Sequence, residues 1–262
     1  YATVFSRLVG GVFIVFILLS GNNQIKIKLE DFKFDFSIIR DIYQVGFPVM
    51  IMQLLASFMV AGVNLIVVSY SLTAVAVMGI YFRLQSFVFM PIFGLSQGYM
   101  PILGYNYGHR NPNRMKKSIK YSLIVGFVFS TLGFVIFQLF PRELILLFND
   151  DPQLVMIGQN ALRKISLAFP IIGPAIIMST TFQAIGKGVP SLVVNFLRQM
   201  VLLLPIMYIF GVFYGLEDLW YAFPISEILT FVITVLWLKF TLNKIFKELN
   251  EDKKFIKDKE NP

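Results

Sequence analysis

The chain has 262 residues, of which 56% are hydrophobic and 15% charged, with 28 Phe and a net charge of +8. A soluble globular domain carries about 25% charged residues, so this composition argues against one. The absence of cysteine excludes disulfides, thiolate metal sites and thiol nucleophiles.

Seven stretches are apolar and long enough to cross a bilayer: 2–20, 46–70, 74–104, 118–140, 154–182, 190–213 and 219–240. A hydrocarbon core of about 30 Å needs about 20 apolar residues in a helix. Backbone groups in lipid must be satisfied internally, so these stretches are predicted to be helices. The chain begins with Tyr1, already inside an apolar run and without a charged leader. We therefore expect it to be the C-terminal piece of a longer polytopic protein and its first span not to be a signal peptide.

The first span ends at the turn signal Ser20-Gly21-Asn22-Asn23. Residues 24–36 alternate apolar and polar, which predicts an extended strip along a surface. Ser37 is the expected N-cap of a helix that starts at Ile38 and runs into the second span. The segment from Gly104 to Arg114 reads as a loop, and Asp151-Pro152 reads as an N-cap followed by proline at the first helical position. Prolines 48, 91, 101, 170, 174, 205 and 224 are expected to interrupt or kink helices. Gly94 and Gly98, and Gly126, Ser130 and Gly133, are small residues spaced for close helix packing. Trp220 and Tyr221 at one end of the last span and Trp237 at the other read as interfacial aromatic belts.

Basic residues cluster in alternate gaps: four at 26–40, five at 110–120 and seven at 239–259. The intervening gaps are neutral or acidic apart from Arg142. This pattern predicts cytoplasmic basic loops, a cytoplasmic C-terminus and an outer N-terminus in a multi-pass plasma (inner) membrane protein. It also explains the positive charge without nucleic acid. The expected partner of the basic tail is anionic membrane lipid.

Charged groups inside a membrane are costly and mark candidate sites. Arg83 and Glu227 lie at similar depths, about 12–13 Å from the outer end at 1.5 Å per residue, and are expected to form an ion pair. Arg198 lies mid-span. Gln53, Ser57 and Asn64 fall within about 40° on the second span at 100° per residue. Met90 and Gln97, seven residues apart, share a stripe with Arg83. Asn195, Arg198 and Gln199 share a face of the sixth span. Gln53, Ser57, Asn64, Met90 and Gln97 are the candidate cavity residues.

Enzyme signals are weak. His109 is the one histidine, a solvated turn residue in a basic loop. Gly186-Lys187-Gly188 lacks the spacing of a phosphate loop, and Asp150-Asp151 lacks that of a calcium loop. No catalytic residue, metal site or cofactor is expected.

The stretches GLSQGYMPILGYNYGHRNPNRMKKS (94–118), LRKISLAFPIIGPAIIMSTTFQAIGKGVPS (162–191), LRQMVLLLPIMYIF (197–210) and WYAFPISEILT (220–230) together resemble the multidrug and toxic compound extrusion (MATE) family, in the family's order and over about 41–240. The resemblance implies an all-α membrane helix bundle. Residues 1–20 would be the last helix of a first lobe, 21–40 a cytoplasmic linker, 41–240 the second six-helix lobe and 241–262 a basic cytoplasmic tail. It also implies a secondary antiporter that exports organic cations and other amphipathic molecules by alternating access, driven by sodium or protons. Some branches carry a carboxylate cation site in the second lobe. Here Ala56 stands where that acid would be, and the fifth span has no Asp or Glu. The resemblance thus gives no cation site in the second lobe and implies a coupling carboxylate in the missing N-terminal lobe, with Glu227 as the second choice. A lipid-linked oligosaccharide flippase of the same superfamily, an intramembrane enzyme with its site in the missing half, and a purely structural or assembly protein are the alternative readings.

Overall fold

The computed structural model describes residues 2–19 and 35–260, all of whose regular elements are helical. The helices are α1 (Ala2–Leu19), α2 (Phe36–Val68), α3 (Leu72–Gly108), α4 (Pro112–Leu139), α5 (Pro141–Leu146), α6 (Pro152–Ser166), α7 (Phe169–Ala184), α8 (Gly188–Phe196), α9 (Leu204–Leu219) and α10 (Ala222–Glu260), with a π-helical segment at Leu197–Leu203 between α8 and α9. The chain divides into a first unit, Tyr1–Gln44, and a second, Val45–Pro262. In the first, the side chains of α1 from Val4 to Ile17 are exposed.

Five helical stretches are long and apolar enough to span a membrane: Val49–Val68, Leu72–Gly108, Pro112–Leu139, Gly188–Leu219 and Ala222–Leu249. The expected fifth span is a broken one, α6 and α7 meeting at 51°. The cause is local. Pro170 sits in the first turn of α7 and cannot continue the ladder of α6. Gln138 of α4 bridges the break, its Nε2 donating to the Arg163 carbonyl at 2.7 Å and to Ser166 Oγ at 3.0 Å. Within α1, the described apolar stretch Val4–Ile17 falls short of a span.

Several helix ends follow the chemistry of their residues. Asp151 caps α6, accepting from the Leu154 N–H at 2.9 Å with Pro152 in the first turn. Ser71 caps α3 through the Thr73 N–H, and Asn111 caps α4 through the Arg114 N–H. Gly186 ends α7 with φ +76, while the Lys187 N–H closes onto the Phe182 carbonyl, the left-handed termination glycine allows.

Four expectations need correction. Asp35, not Ser37, caps α2: its carboxylate accepts from the Ser37 hydroxyl at 2.7 Å and the Ser37 N–H at 2.8 Å, bonds that hold its pKa below the usual carboxylate value. Phe36 is therefore helical rather than the end of an extended strip; the rest of that strip and the 20–23 turn lie outside the described residues. The loop predicted from Gly104 shrinks to His109–Asn111, because α3 continues to Gly108, with the His109 ring stacked on Tyr105 at 5.0 Å. Trp220 belongs to no interfacial belt: it is fully buried in the core, and Trp237 packs edge-on against Phe182 within α10, which runs on past residue 240.

The two small-residue stripes diverge. A side chain at Gly94 or Gly98 would meet nothing within 4 Å, so that pair makes no close helix contact. Gly126 and Ser130 of α4, in contrast, lie directly against Gly173 of α7. A Cβ on Gly173 would overlap the Gly126 carbonyl oxygen and Ser130 Oγ. Small residues permit this approach where lipid offers no hydrophobic drive between helices. Gly173→Ala is expected to destabilise the protein by about 1–3 kcal/mol, the usual cost of overpacking; thermal unfolding in detergent checks it, with Gly94→Ala as the near-neutral comparison.

Candidate functional site

A cavity of about 340 Å³ opens between α2, α3, α7, the α8–π segment and α10. Each element contributes one face. From α2 come Val49, Met52, Gln53 and Ala56, at the i, i+3, i+4, i+7 spacing of one helical stripe. From α3 come Gln85, Phe89, Phe93, Ser96, Gln97 and Met100, and from α7 Ala175, Ser179, Thr180 and Gln183. Asn195, Arg198 and Gln199 close one side, and Thr230 and Thr234 of α10 another. The lining is apolar and aromatic with neutral hydrogen-bonding groups set into it, the usual make-up of a small-molecule site.

Four of the polar lining residues, Ser179, Gln183, Asn195 and Arg198, join Ser191, Met52 and Glu227 in one connected network. Ser179 Oγ and Ser191 Oγ are 2.5 Å apart. Gln183 Nε2 donates to Ser191 Oγ at 3.1 Å, and Asn195 Nδ2 to Ser179 Oγ at 3.2 Å. The Met52 sulfur receives Asn195 Nδ2 at 3.5 Å and the Ser191 hydroxyl at 3.6 Å, joining α2 to the cluster. Arg198 Nη2 donates to Asn195 Oδ1 at 3.1 Å and Nη1 to Glu227 Oε1 at 3.3 Å. Hydrogen bonds thus run unbroken from Glu227 on α10 to Gln183 on α7.

Arg198 and Gln199 stand in the π segment, on the face they share with Asn195. Five-residue hydrogen bonding widens the turn, a feature that recurs at functional sites, and it covers Leu197–Leu203. Arg198 stands between the large cavity and a second, smaller one of about 70 Å³, which it lines with Tyr81, Gln85, Gln199 and Glu227. Three oxygens there, Gln85 Oε1, Gln199 Oε1 and Glu227 Oε2, are buried without a partner.

Of the residues chosen from sequence, Gln53 and Gln97 line the large cavity, and Ser57, Asn64 and Met90 do not. Asn64 lies eleven residues beyond Gln53, about 16 Å along the helix, past the cavity's reach. Ser57 is exposed, its hydroxyl 3.3 Å from the Gln53 carbonyl. A seven-residue stripe drifts about 20° per step on a straight α-helix, so Met90 and then Arg83 turn progressively off the face that holds Gln97. Met90 is 68% exposed. The expected Arg83–Glu227 pair is corrected for the same reason. Arg83 is exposed and makes no ion pair among the described residues; the partner of Glu227 is Arg198. Sequence reasoning missed Ser179, Gln183, Thr230 and Thr234. The i, i+4, i+8 run of Ser226, Thr230 and Thr234 was a usable signal.

The MatE family model matches residues 48–209. Among curated proteins, the multidrug export protein MepA of Staphylococcus haemolyticus is 25% identical over 225 residues, which cover 86% of this chain and 49% of that protein. Its counterpart in Staphylococcus saprophyticus subsp. saprophyticus is 27% identical over the same shares. The chain thus spans about half the length of the curated relatives it matches. Among solved structures, a MATE protein crystallised in complex with MaL6 superposes with a TM-score of 0.87 at 25% identity, covering 94% of this chain and 56% of that one. An outward-facing multidrug resistance MATE transporter of the MOP superfamily gives 0.87 at 24%.

Proposed function

The chain belongs to the MatE family, and from that premise we propose that it forms the second lobe of a secondary active exporter of amphipathic small molecules, organic cations among them. Antiport of sodium or protons would drive the export by alternating access against a first lobe, the half of the relatives that this chain does not span. The observation that carries this reading is the 340 Å³ cavity, walled by aromatic and Met side chains and lined with neutral polar groups and one arginine, inside a membrane helix bundle. A site of that make-up suits molecules that are apolar in bulk and polar at a few points. The basic gaps at 110–120 and 239–259 support a cytoplasmic C-terminus in a plasma membrane, with lipid as the surrounding partner.

We assign the cavity residues of this lobe as Gln53, Gln97, Ser179, Gln183 and Asn195, and Arg198 with Glu227 as the buried charge pair beside them. No carboxylate lines the large cavity among the described residues, which supports a coupling acid in the first lobe. The test is uptake of an organic cation into everted vesicles that contain the whole protein, with a sodium or proton gradient imposed. Uptake that an ionophore collapses supports antiport. Uptake that persists without any gradient, or that needs ATP, overturns it.

A further inference from the structure

The large cavity contains a single ionisable side chain among the described residues, and it is a cation: Arg198. Its counter-ion, Glu227, does not line that cavity; it faces the smaller one behind. The exposures agree, with the Arg198 side chain 24% exposed and that of Glu227 13%. A guanidinium has five N–H donors. The structure uses two contacts, one to Glu227 Oε1 and one to Asn195 Oδ1. Donors therefore remain on a side chain that lines the cavity, and the planar guanidinium is suited to a carboxylate. Phe89 and Phe93 of α3 give the same cavity an aromatic wall.

We propose that this lobe anchors its ligand through a carboxylate, with Arg198 as the anchoring residue and Phe89 and Phe93 holding an aromatic body. This proposal rests on the export reading and narrows it: the cavity described here takes amphiphiles that bear an anionic group, zwitterions included, in preference to plain monocations. The physics is the asymmetry of the pair. A monocation in the cavity finds Arg198 and no carboxylate among the lining residues described. A carboxylate meets a guanidinium already held in place by Asn195 and Glu227, so it orders no flexible side chain on binding.

The test is binding to the purified whole protein in detergent, with three probes on one aromatic scaffold: the carboxylic acid, its methyl ester, and the amine. A hydrogen bond to a charged group contributes about 1.5–3 kcal/mol, so the acid should bind about 10–100-fold more tightly than the ester, and the amine least tightly. Arg198→Gln should erase the preference for acid, and Arg198→Lys should keep part of it. Arg198→Gln leaves Glu227 without its partner, so the double variant Arg198→Gln with Glu227→Gln, which buries no lone charge, guards against misfolding and should also lose the preference. Equal binding of acid and ester, tighter binding of the amine, or a preference that survives in the folded double variant overturns the proposal. Vesicle transport separates the two readings. Export of the amine without export of the acid leaves the exporter standing and sinks the anchor. Acid-selective binding without export of any probe keeps the anchor and removes the exporter.

Discussion

Substituting either Arg198 or Glu227 by Ala alone is expected to destabilise the protein by somewhat less than the ~3–5 kcal/mol that leaving a fully buried charge without its partner costs, because both side chains are partly exposed. Loss of Glu227 should fall toward the lower end, because Arg198 is about a quarter exposed and keeps some access to the cavity. Replacing both by neutral residues of similar size should be milder than either single change, since a buried pair roughly breaks even against an apolar substitute. The Arg198–Glu227 pair, at 3.3 Å, sits beside the cavity; the Lys164–Asp218 pair, at 2.7 Å, lies at the α6 end, where Lys164 also bonds the Glu217 carbonyl. Denaturant unfolding of the four proteins in detergent measures the coupling directly. Additive single effects would show that the two charges do not sense each other.

The second large effect is on transport. Ala175 sits on α7 with its methyl group toward the 340 Å³ cavity. Ala175→Phe is expected to abolish export, below about a tenth of wild type, while the melting temperature stays within a few degrees. The added ring enters open space rather than packed core, so the strain of overpacking does not arise. Ala175→Ser, which adds one hydroxyl among neutral polar neighbours, should transport normally. Loss of export together with loss of folding in Ala175→Phe would mean that this volume is structural rather than a passage.

What could be read from the residues was the architecture. Apolar length located six of the seven expected spans, one of them broken, and Asp151-Pro152 one helix start, because lipid removes the alternatives to helix and because caps are local chemistry. What could not be read was rotation. Depth along a helix is fixed at 1.5 Å per residue, and on depth alone Arg83 was as good a partner for Glu227 as any. Azimuth depends on the π turn at Leu197–Leu203 and the 51° break before Phe169, and neither has a signature beyond the prolines beside it. Gln53 and Gln97 were found because each lies on the cavity-facing side of a regular stretch of helix. Ser179 and Gln183 were passed over because the polar run Ser179-Thr180-Thr181 with Gln183 wraps around the helix end and marks no single face, and Trp220 was misplaced because a Trp near a span end is interfacial or buried depending on which way its helix turns.

The attachment of α2 to the polar cluster has a mechanical consequence. The amide of Asn195 and the hydroxyl of Ser191 both rest on the sulfur of Met52. A thioether is a weak, polarizable acceptor on an unbranched, flexible stem. Such a joint behaves as a slipping bearing rather than a bolt: α2 can travel a fraction of an ångström against its neighbours with little loss of bonding, and the mouth it borders widens or narrows with it. Oxygen added to that sulfur would turn the bearing into a lock, since a sulfoxide is polar and fixed in hand.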